Sequence, residues 1–319
     1  MKRECETEVT CVADLQMPRC RLDQWLSRQF STHSRTEIQR WIREGRVLRA
    51  GQKVRPAEEV IPGAAYQVWP LETSPVPALQ PARMDLEMLW EDEAVLVVNK
   101  PAGVVVHPAP GHRGDTLLEG MIERFPDLAD AGDPERPGLV HRLDADTSGV
   151  MLFARTTEAL AELQRQFRER ETVKGYQALV KKVPLQASGT IDLPLGRHPR
   201  DRKRRAVNGL AAREALTRYE VLEGLAAGQA ARLQVEIGTG RTHQIRVHLA
   251  EIGHPVLGDS LYGGRHPQVG GGWAEAPRQM LHAFRLRFRH PCDKREYSFE
   301  APLPQDFQSL LLALKSTKP

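Results

Sequence analysis

Two carboxylates lie two residues apart in the stretch DADTSG, residues 144–149. A calcium loop of the EF-hand type also begins with Asp at its first and third positions, an oxygen ligand at the fifth and Gly at the sixth. Counted from Asp144, its twelfth position should carry a bidentate glutamate, and Arg155 stands there instead. The sequence therefore disfavours calcium, and a plain turn or a catalytic site with one essential aspartate remain as alternatives.

Charged residues lie between apolar flanks in two segments, LVHRLDADTSGVMLFA (139–154) and GTGRTHQIRVH (238–248). A carboxylate that apolar flanks carry into a fold must be paired or hydrogen-bonded, and arginine is its natural partner. Asp144, held ionised by a buried arginine, is either half of a structural ion pair or a nucleophile in a dry site. Residue types and spacing alone leave both interpretations open.

Several familiar sites are missing from the sequence. It contains no GxxxxGK[ST] loop, no GxGxxG after a strand and no GxSxG elbow. His243 and His248 are five residues apart, which does not match HExxH, and the four cysteines form no CxxC pair. We therefore expect no cofactor, no bound metal and reduced, unpaired thiols.

The composition is that of a globular protein, with 40% hydrophobic and 27% charged residues among 319. No apolar run is long enough to span a membrane and no signal-peptide core is visible, so we expect a cytoplasmic protein without membrane contact. The net charge of +4 says little, but two basic clusters, 34–53 and RHPRDRKRR (197–205), favour local contacts with a polyanion. A solvated basic surface is the alternative for either cluster taken alone.

Four regions follow from the residue patterns. Apolar spacing at Leu22, Trp25 and Leu26 predicts a first helix, and the capping-box spacing of Ser34 and Glu37 predicts the start of a second. Prolines at 70, 75, 77 and 81 predict an extended connector. The expected boundaries are a disordered leader over 1–18, a small domain of helices and short strands over 19–69, a linker over 70–87, and a large domain over 88–319.

The large domain shows strands and helices that do not alternate regularly. Helices are expected at 156–170 and 305–315. The expected strands are Ala94–Asn99, Gly103–Val106, Gly149–Ala154, Tyr176–Val180, Arg232–Ile237 and Arg285–Phe288. This order predicts the α+β class, with a mixed, mostly antiparallel sheet flanked by helices.

The segment HRLDADTSGVMLFA resembles the signature of the RluA family of RNA pseudouridine synthases. Further segments resemble family blocks in family order, so that the likeness covers about residues 86–305: NKPAGVVVHPAPGH, VKGYQALV, GRHPRDRKRRAV, GTGRTHQIRVH, HPVLGDSLYGG and RQMLHA. Residues 19–68 resemble the S4 RNA-binding module, with one departure: Ala50 precedes Gly51 where the module often carries Asn. The layout is most similar to the family type that acts on the large ribosomal subunit.

The resemblance implies a role for four residues. Asp144, and not Asp146, matches the family's essential aspartate, and Arg142 matches the arginine that enters the space left by the flipped base. Tyr176 matches the active-site tyrosine, and Arg241 matches the arginine that pairs with the aspartate. RNA contacts are expected from basic residues of both domains: Arg35, Arg43, Arg46, Lys174, Arg197, Arg200, Arg202, Lys203, Arg204 and Arg205.

The expected activity is isomerisation of specific uridines to pseudouridine in 23S rRNA, by base flipping and without a cofactor. The expected partner is rRNA or an assembling large subunit, and the expected state is a monomer. Asp144 adds to C1′, adds to the pyrimidine ring, or removes a sugar proton; the sequence leaves these three open. A non-catalytic S4-type assembly factor is the alternative from another class, and a glycosidase using Asp144 and Asp146 is a weaker one.

Overall fold

The buried hydrophobic residues form separate cores on the two sides of the proline-rich segment. A computed structural model of the chain describes residues 8–30, 33, 35–70, 79–108, 115–263, 268–269, 272–273 and 276–316. The chain divides into a unit of residues 1–78 and a unit of residues 79–319. We call them the N-terminal and the C-terminal unit.

The N-terminal unit combines two helices with a four-stranded antiparallel sheet in the order β1-β4-β2-β3. Its elements are β1 (Val9–Val12), α1 (Leu22–Gln29), α2 (Arg35–Arg43), β2 (Val47–Arg49), β3 (Gln52–Lys53) and β4 (Ala65–Val68). Both helices bury the faces that their apolar spacing predicts, with Leu22, Leu26, Ile38 and Trp41 at most 1% exposed.

The second helix ends where the sequence has its glycine. Gly45 has a φ of 74°, its N–H donates to the carbonyl of Ile42, and the N–H of Arg46 donates to that of Trp41. This pair of bonds is a Schellman motif, which favours glycine at the left-handed position. Ser34, the expected cap of this helix, lies outside the described residues.

The expected disordered leader over 1–18 is wrong for its second half. Val9–Val12 form β1, which pairs with β4, and Ala13 is 2% exposed within the core. Alternating residues in VTCV allow this strand, and β4 offers it an unpaired edge. The expected linker over 70–87 is also too long, because residues from 79 onward belong to the C-terminal unit, where Leu86 is buried.

In its described residues, the C-terminal unit contains a nine-stranded sheet, a three-stranded sheet, a two-stranded sheet and four α-helices. Its helices are α3 (Leu117–Arg124), α4 (Thr157–Glu169), α5 (Gln244–Glu251) and α6 (Gln305–Ser316). Its strands are β5 (Glu87–Glu91), β6 (Val95–Lys100), β7 (Ser148–Ala154), β8 (Val173–Lys181), β9 (Ser188–Asp192), β10 (Leu195–Arg197), β11 (Arg205–Val207), β12 (Leu210–Arg213), β13 (Leu216–Leu225), β14 (Ala230–Ile237), β15 (Gln268–Val269), β16 (Gly272–Trp273), β17 (Leu281–Arg289) and β18 (Glu296–Glu300). Among the described residues, no helix has the length and apolar content needed to cross a membrane.

The large sheet has the strand order β5-β6-β7-β17-β8-β14-β13-β9, with β18 beside β17. Its strand pairs are antiparallel except for β7 and β17, which run parallel. The expected mixed, mostly antiparallel sheet is therefore confirmed. Strand β7 is buried on both faces, with Met151 and Phe153 in one core and Val150 and Leu152 in another, which explains its continuous apolar sequence.

One expected strand, Gly103–Val106, is absent. Gly103 has a φ of 84°, which breaks an extended path. The carbonyls of Val105 and Val106 accept hydrogen bonds from the first N–H groups of α3, at Leu117 and Leu118. The backbone of the apolar run VVV thus pairs with the free N–H groups at the start of α3 and not with a neighbouring strand.

Candidate active site

The DADTSG loop leads into β7, whose first residues are Ser148 and Gly149, and it is held by its backbone carbonyls. The carbonyl of Ala145 accepts from Lys100 Nζ at 2.7 Å and from the N–H of Gly103 at 3.0 Å. The carbonyl of Asp146 accepts from Arg278 Nη1 at 2.8 Å. Because these donors come from separate parts of the chain, the loop has little freedom to move.

Gly149 ends this loop and leaves no room for a side chain. Its φ is +117°, and a Cβ atom there would lie 2.1 Å from the carbonyl oxygen of Ala283 in β17. The close approach lets β7 and β17 pair at His282 and Ser148, whose side chains also meet at 2.9 Å. The glycine therefore fixes where the loop enters the sheet.

Asp144 accepts a hydrogen bond from Arg246, whose Nη1 lies 2.8 Å from its Oδ2. The same guanidinium donates two hydrogen bonds to the fully buried Asp259, from Nε at 2.6 Å and from Nη2 at 3.0 Å. Burial alone would lower the pKa of Arg246, but hydrogen bonds and charges from Asp259 and Asp144 outweigh it and raise that pKa. A permanently charged, bidentately fixed arginine thus orients Asp144, whose side chain remains 20% exposed.

The pairing of Arg241 with Asp144, which the family resemblance implies, is wrong in this structure. Arg241 Nε donates to the carbonyl of Glu214 at 3.1 Å, and Arg246 takes the expected place. The chain turns sharply between the two arginines, because His243 has a left-handed φ of 58° just before α5. Arg246 lies inside that helix on its buried side, whereas Arg241 lies at the rim of the same pocket.

Tyr176 lies in β8 and is 7% exposed. Burial first, and then the charge of Asp144, raise the pKa of its hydroxyl above its ordinary value. The hydroxyl is therefore neutral at physiological pH and is a poor general base. Its ring, with Leu143, Ile237 and Leu281, supplies apolar surface to the pocket against which a flat base can stack.

The four residues with a sequence-assigned role, Asp144, Tyr176, Arg241 and Arg142, all line one pocket. Arg142 is exposed at its rim. Burial lowers the pKa of Arg142; the charge of Asp144 opposes this, and those of Arg136 and Arg205 add to it. No group of three or more His, Cys, Asp or Glu side chains is arranged to hold a metal in the part of the chain that the structure describes.

Sequence reasoning missed three residues of the site, Arg246, Asp259 and His243. His243 Nε2 lies 3.9 Å from Asp144 Oδ1, and its Nδ1 lies 2.8 Å from the hydroxyl of Tyr262. Signals for two of these residues were present, since GRTHQIR holds a second arginine and the block HPVLGDSLYGG holds one aspartate. Only the folded chain brings the two segments together.

The expected RNA contacts divide into three groups. Strands β10 and β11 and the turn 198–204 between them form what we call the basic hairpin, whose exposed cations are Arg197, Arg200, Arg202 and Lys203. Arg204 and Arg205 of the same hairpin are partly buried and lie against Tyr262.

Lys174 is not a surface contact, which corrects the expectation. It is 6% exposed, with its ammonium 5.4 Å from the ring centre of Phe167. Burial, and then the charge of Arg170, lower its pKa to about 8. Its burial follows from its position in β8, where residues 174–176 are all buried and Phe167 packs against the ammonium.

Residues of the N-terminal unit form a polar row on α2. Arg35 Nη2 and Gln39 Nε2 donate to the buried carboxylate of Asp23, at 3.1 and 2.6 Å, and Arg43 Nη2 donates to Gln39 at 2.9 Å. Arg46 lies 3.6 Å from Glu44. Arg35 and Arg43 are exposed, so this row presents positive charge to solvent.

Known proteins resemble this chain over most of its length. A family model described as RNA pseudouridylate synthase matches residues 94–251, and an S4 domain model matches residues 20–65. An uncharacterized RNA pseudouridine synthase of Aquifex aeolicus (strain VF5) is 41% identical over 94% of this chain and 95% of its own. Ribosomal large subunit pseudouridine synthase D of Pseudomonas aeruginosa is 41% identical over 93% of both chains.

A solved structure shows the same relation. The human RNA pseudouridylate synthase domain containing 1 matches with a TM-score of 0.54 at 31% identity, over 73% of this chain and 96% of that chain. The sequence match, the fold and the pocket around Asp144 agree. The chain belongs to the family of RNA pseudouridine synthases, which are isomerases, and carries an N-terminal S4 domain.

Proposed function

We propose that this enzyme converts specific uridines of large-subunit (23S) rRNA to pseudouridine, by flipping the base into the pocket at Asp144. The observation that carries the proposal is the orientation of Asp144 by Arg246 at 2.8 Å, in a pocket whose wall includes Tyr176. Support for the substrate comes from the name of the relative in Pseudomonas aeruginosa, a ribosomal large subunit pseudouridine synthase.

The reaction breaks the C1′–N1 bond of uridine and joins C1′ to C5 of the same base. The proton leaves C5, N1 gains one, and no atom is added overall. Asp144 supplies the ionised carboxylate, either by adding to C1′ or to the ring or by removing a sugar proton. Arg246 keeps its charge throughout, and the neutral hydroxyl of Tyr176 is available as a hydrogen-bond donor to the base.

Base flipping costs a few kcal/mol for a paired base and less for one in a loop. We propose that Arg142, exposed at the pocket rim, fills the space that the base leaves. The exposed cations of the basic hairpin and of α2 then bind RNA phosphates, which position the strand without reading its sequence. A substrate of rRNA supports a place in the cytoplasm.

The proposal is tested by Asp144→Asn beside Asp146→Asn in cells that lack the native enzyme. Asp146 offers a matched control, because it lies in the same loop but its side chain is exposed and is not part of the pocket. Pseudouridines in 23S rRNA are mapped in each strain. We expect Asp144→Asn to abolish the sites that the wild type restores and Asp146→Asn to keep them. Full modification by Asp144→Asn would refute the assignment.

A further inference from the structure

Tyr262 contacts residues of the basic hairpin and also two residues beside Asp144, His243 and Arg246. It is 8% exposed, in the segment GDSLYGG that follows α5. Its hydroxyl accepts from the backbone N–H of Arg205 at 2.8 Å and lies 2.8 Å from Nδ1 of His243. The guanidinium carbons of Arg204 and Arg246 lie 5.4 and 5.2 Å from its ring centre. One tyrosine thus joins two residues of the hairpin to two residues of the active site.

The hydrogen bond between the Tyr262 hydroxyl and Nδ1 of His243 fixes the orientation of the imidazole ring. Burial lowers the pKa of His243, against the charge of Asp144, so the ring is neutral at pH 7. Its other nitrogen, Nε2, lies 3.9 Å from Asp144 Oδ1. The position of the hairpin backbone therefore decides how the imidazole is held beside the carboxylate.

The hairpin carries positive charge on its other side. Its tip, residues 198–204, is closed by the side chains of His198 and Asp201, which accept backbone N–H groups of the tip. Arg200, Arg202 and Lys203 are exposed there. A nucleic acid that binds these cations therefore contacts a compact tip. The last residue of the tip, Arg204, and the next residue, Arg205, both contact Tyr262.

We propose that Tyr262 is a positioning residue that couples RNA binding by the basic hairpin to the alignment of His243 and Asp144. The inference rests on the proposed function, because the occupant of the hairpin is the RNA substrate. When RNA binds the hairpin, the backbone of Arg205 is held in place. The hydroxyl of Tyr262, which bonds this backbone, then keeps His243 in its position beside Asp144. Binding energy gained away from the reacting base is thereby used to align the site.

A purely structural role for Tyr262 makes a different prediction. Its ring packs with Leu195, Ala215 and Val247 in a small core under the hairpin. If packing were its whole contribution, removal of the hydroxyl would leave the rate unchanged, or would lower it independently of the charges at the hairpin tip. Coupling instead requires that the two changes act through one route, which a double-mutant cycle measures.

The experiment compares the full-length wild type, Tyr262→Phe, the tip variant Arg200→Gln/Arg202→Gln/Lys203→Gln, and their combination. Tyr297→Phe is the control, because its hydroxyl bonds the exposed Asp293 and no pocket residue. Enzyme in excess acts on 23S rRNA transcribed with uridine tritiated at C5, and tritium release gives the single-turnover rate at saturating enzyme and the half-saturating concentration.

We expect Tyr262→Phe to lower the saturating rate by about tenfold, since small misalignments in an active site cost this much or more, with little change in half-saturation. The tip variant should raise the half-saturating concentration and also lower the saturating rate by about tenfold. In the combination, the rate should fall no further than about twofold below that of Tyr262→Phe. Tyr297→Phe should match the wild type.

Multiplication of the two rate effects in the combination would overturn the inference. A melting temperature of Tyr262→Phe equal to that of the wild type is the check on folding. His243→Asn is a second route to the same answer, because Asn tolerates the left-handed backbone of that position and removes the imidazole. A tip effect on rate that persists there also overturns the coupling. No tritium release by the wild type would overturn the proposed function, and this inference with it.

Discussion

Arg246 binds two carboxylates: that of Asp144, the proposed catalytic residue, and that of the buried Asp259. It holds Asp144 through Nη1 and the buried Asp259 through Nε and Nη2. Lysine keeps the charge but presents one nitrogen, so it cannot serve both partners in this geometry. We expect Arg246→Lys to lower the saturating rate by about 100-fold or more, because Asp144 loses its fixed orientation.

The matched comparison is Arg241→Lys, at the rim of the same pocket. Its guanidinium bonds only a backbone carbonyl among the described residues, so the expected loss of rate is smaller by at least about tenfold. Single-turnover rates and melting temperatures are measured for both variants. A larger loss for Arg241→Lys would show that the ion pair seen with Arg246 is not the one that matters in catalysis.

Lys100 is fully buried, and its amine donates to the carbonyls of Pro101 and Ala145. Burial lowers its pKa from 10.5 to about 7, against the opposing charge of Asp146. A neutral amine still has two hydrogens for these two acceptors. Between pH 7 and 10 the unfolded chain therefore binds a proton at Lys100 that the folded chain does not, so stability rises with pH in this window.

The measurement is the free energy of unfolding in urea, at a series of pH values from 7 to 9.5. Lys100 contributes a slope of up to about 1.4 kcal/mol per pH unit, and Lys100→Met should remove that part of the slope. The exposed Lys181→Met is the control and should leave the slope unchanged. Equal slopes for the wild type and Lys100→Met would show that the buried amine stays protonated.

For individual residues, the sequence predicted which side chains line the pocket better than it predicted which residues they pair with. Asp144 could be selected because its motif matches a family, and an arginine partner could be expected on electrostatic grounds. Whether Arg241 or Arg246 pairs with Asp144 depends on the left-handed backbone at His243, which no residue pattern predicts. Lys174 was misjudged because a lysine in a strand can face either side, and only the register shows which.

The basic hairpin is the element whose charge is easiest to change without disturbing the pocket. Its exposed cations are Arg197, Arg200, Arg202 and Lys203. Each phosphate that they neutralise contributes about 0.7–0.9 to the dependence of log K on log salt. Changing all four to Gln should therefore flatten that slope by about 3, as measured by RNA binding at several salt concentrations.

A control with the same loss of charge uses four exposed cations outside the hairpin, in β8, in β17 and in the turn before β18: Lys181, Arg287, Arg289 and Arg295. Changing these four to Gln should leave the slope nearly as it is in the wild type. An unchanged slope for the hairpin variant would remove the hairpin from the RNA-binding surface.

Most elements could be predicted from the sequence, because periodicity and helix caps are local. The helix expected at 156–170 is α4, and Thr156 accepts from the N–H of Ala159 at its start. The strand expected at Gly103–Val106 failed, because an apolar run can also serve as the acceptor for a helix start. The strand Val9–Val12 was missed, because its partner β4 lies more than 50 residues away in the sequence.

Two units with separate cores should unfold in two steps. The N-terminal core includes Leu22, Trp41 and Tyr66, and it shares no residue with the cores of the C-terminal unit. Asp23, fully buried, accepts hydrogen bonds from Arg21, Arg35 and Gln39 in the first unit only. Differential scanning calorimetry should therefore show two transitions.

Asp23→Asn identifies which transition belongs to which unit. Burial opposes the charge of Asp23, but the bonds from Arg21, Gln39 and Arg35 lower its pKa to about 2, so the native form is the carboxylate. An amide accepts fewer of these bonds, at a cost of about 1–3 kcal/mol. One transition should move down by roughly 4–8 °C per kcal/mol and the other should stay. A single transition, or a shift of both, would contradict independent units.

For the whole molecule, the proline-rich segment predicted two domains, and the irregular alternation of strands and helices predicted the α+β class. The strand order was not predictable, because sequence patterns do not show which strands meet across long distances. In particular, β17 pairs with β7 and with β8, although both of those strands precede it by more than 90 residues. Arg278, Gln279 and His282, which support the DADTSG loop, come from this late segment.

The position of β17 sets an order of events while the chain is being made. Strand β7, after Asp144, and strand β8, with Tyr176, leave the ribosome before the strand that joins them exists. Domains fold as units in the order of synthesis, so the N-terminal unit can fold first. A nascent chain is therefore able to bind RNA through its S4 domain before Leu281–Arg289 emerges and completes the pocket proposed as the active site.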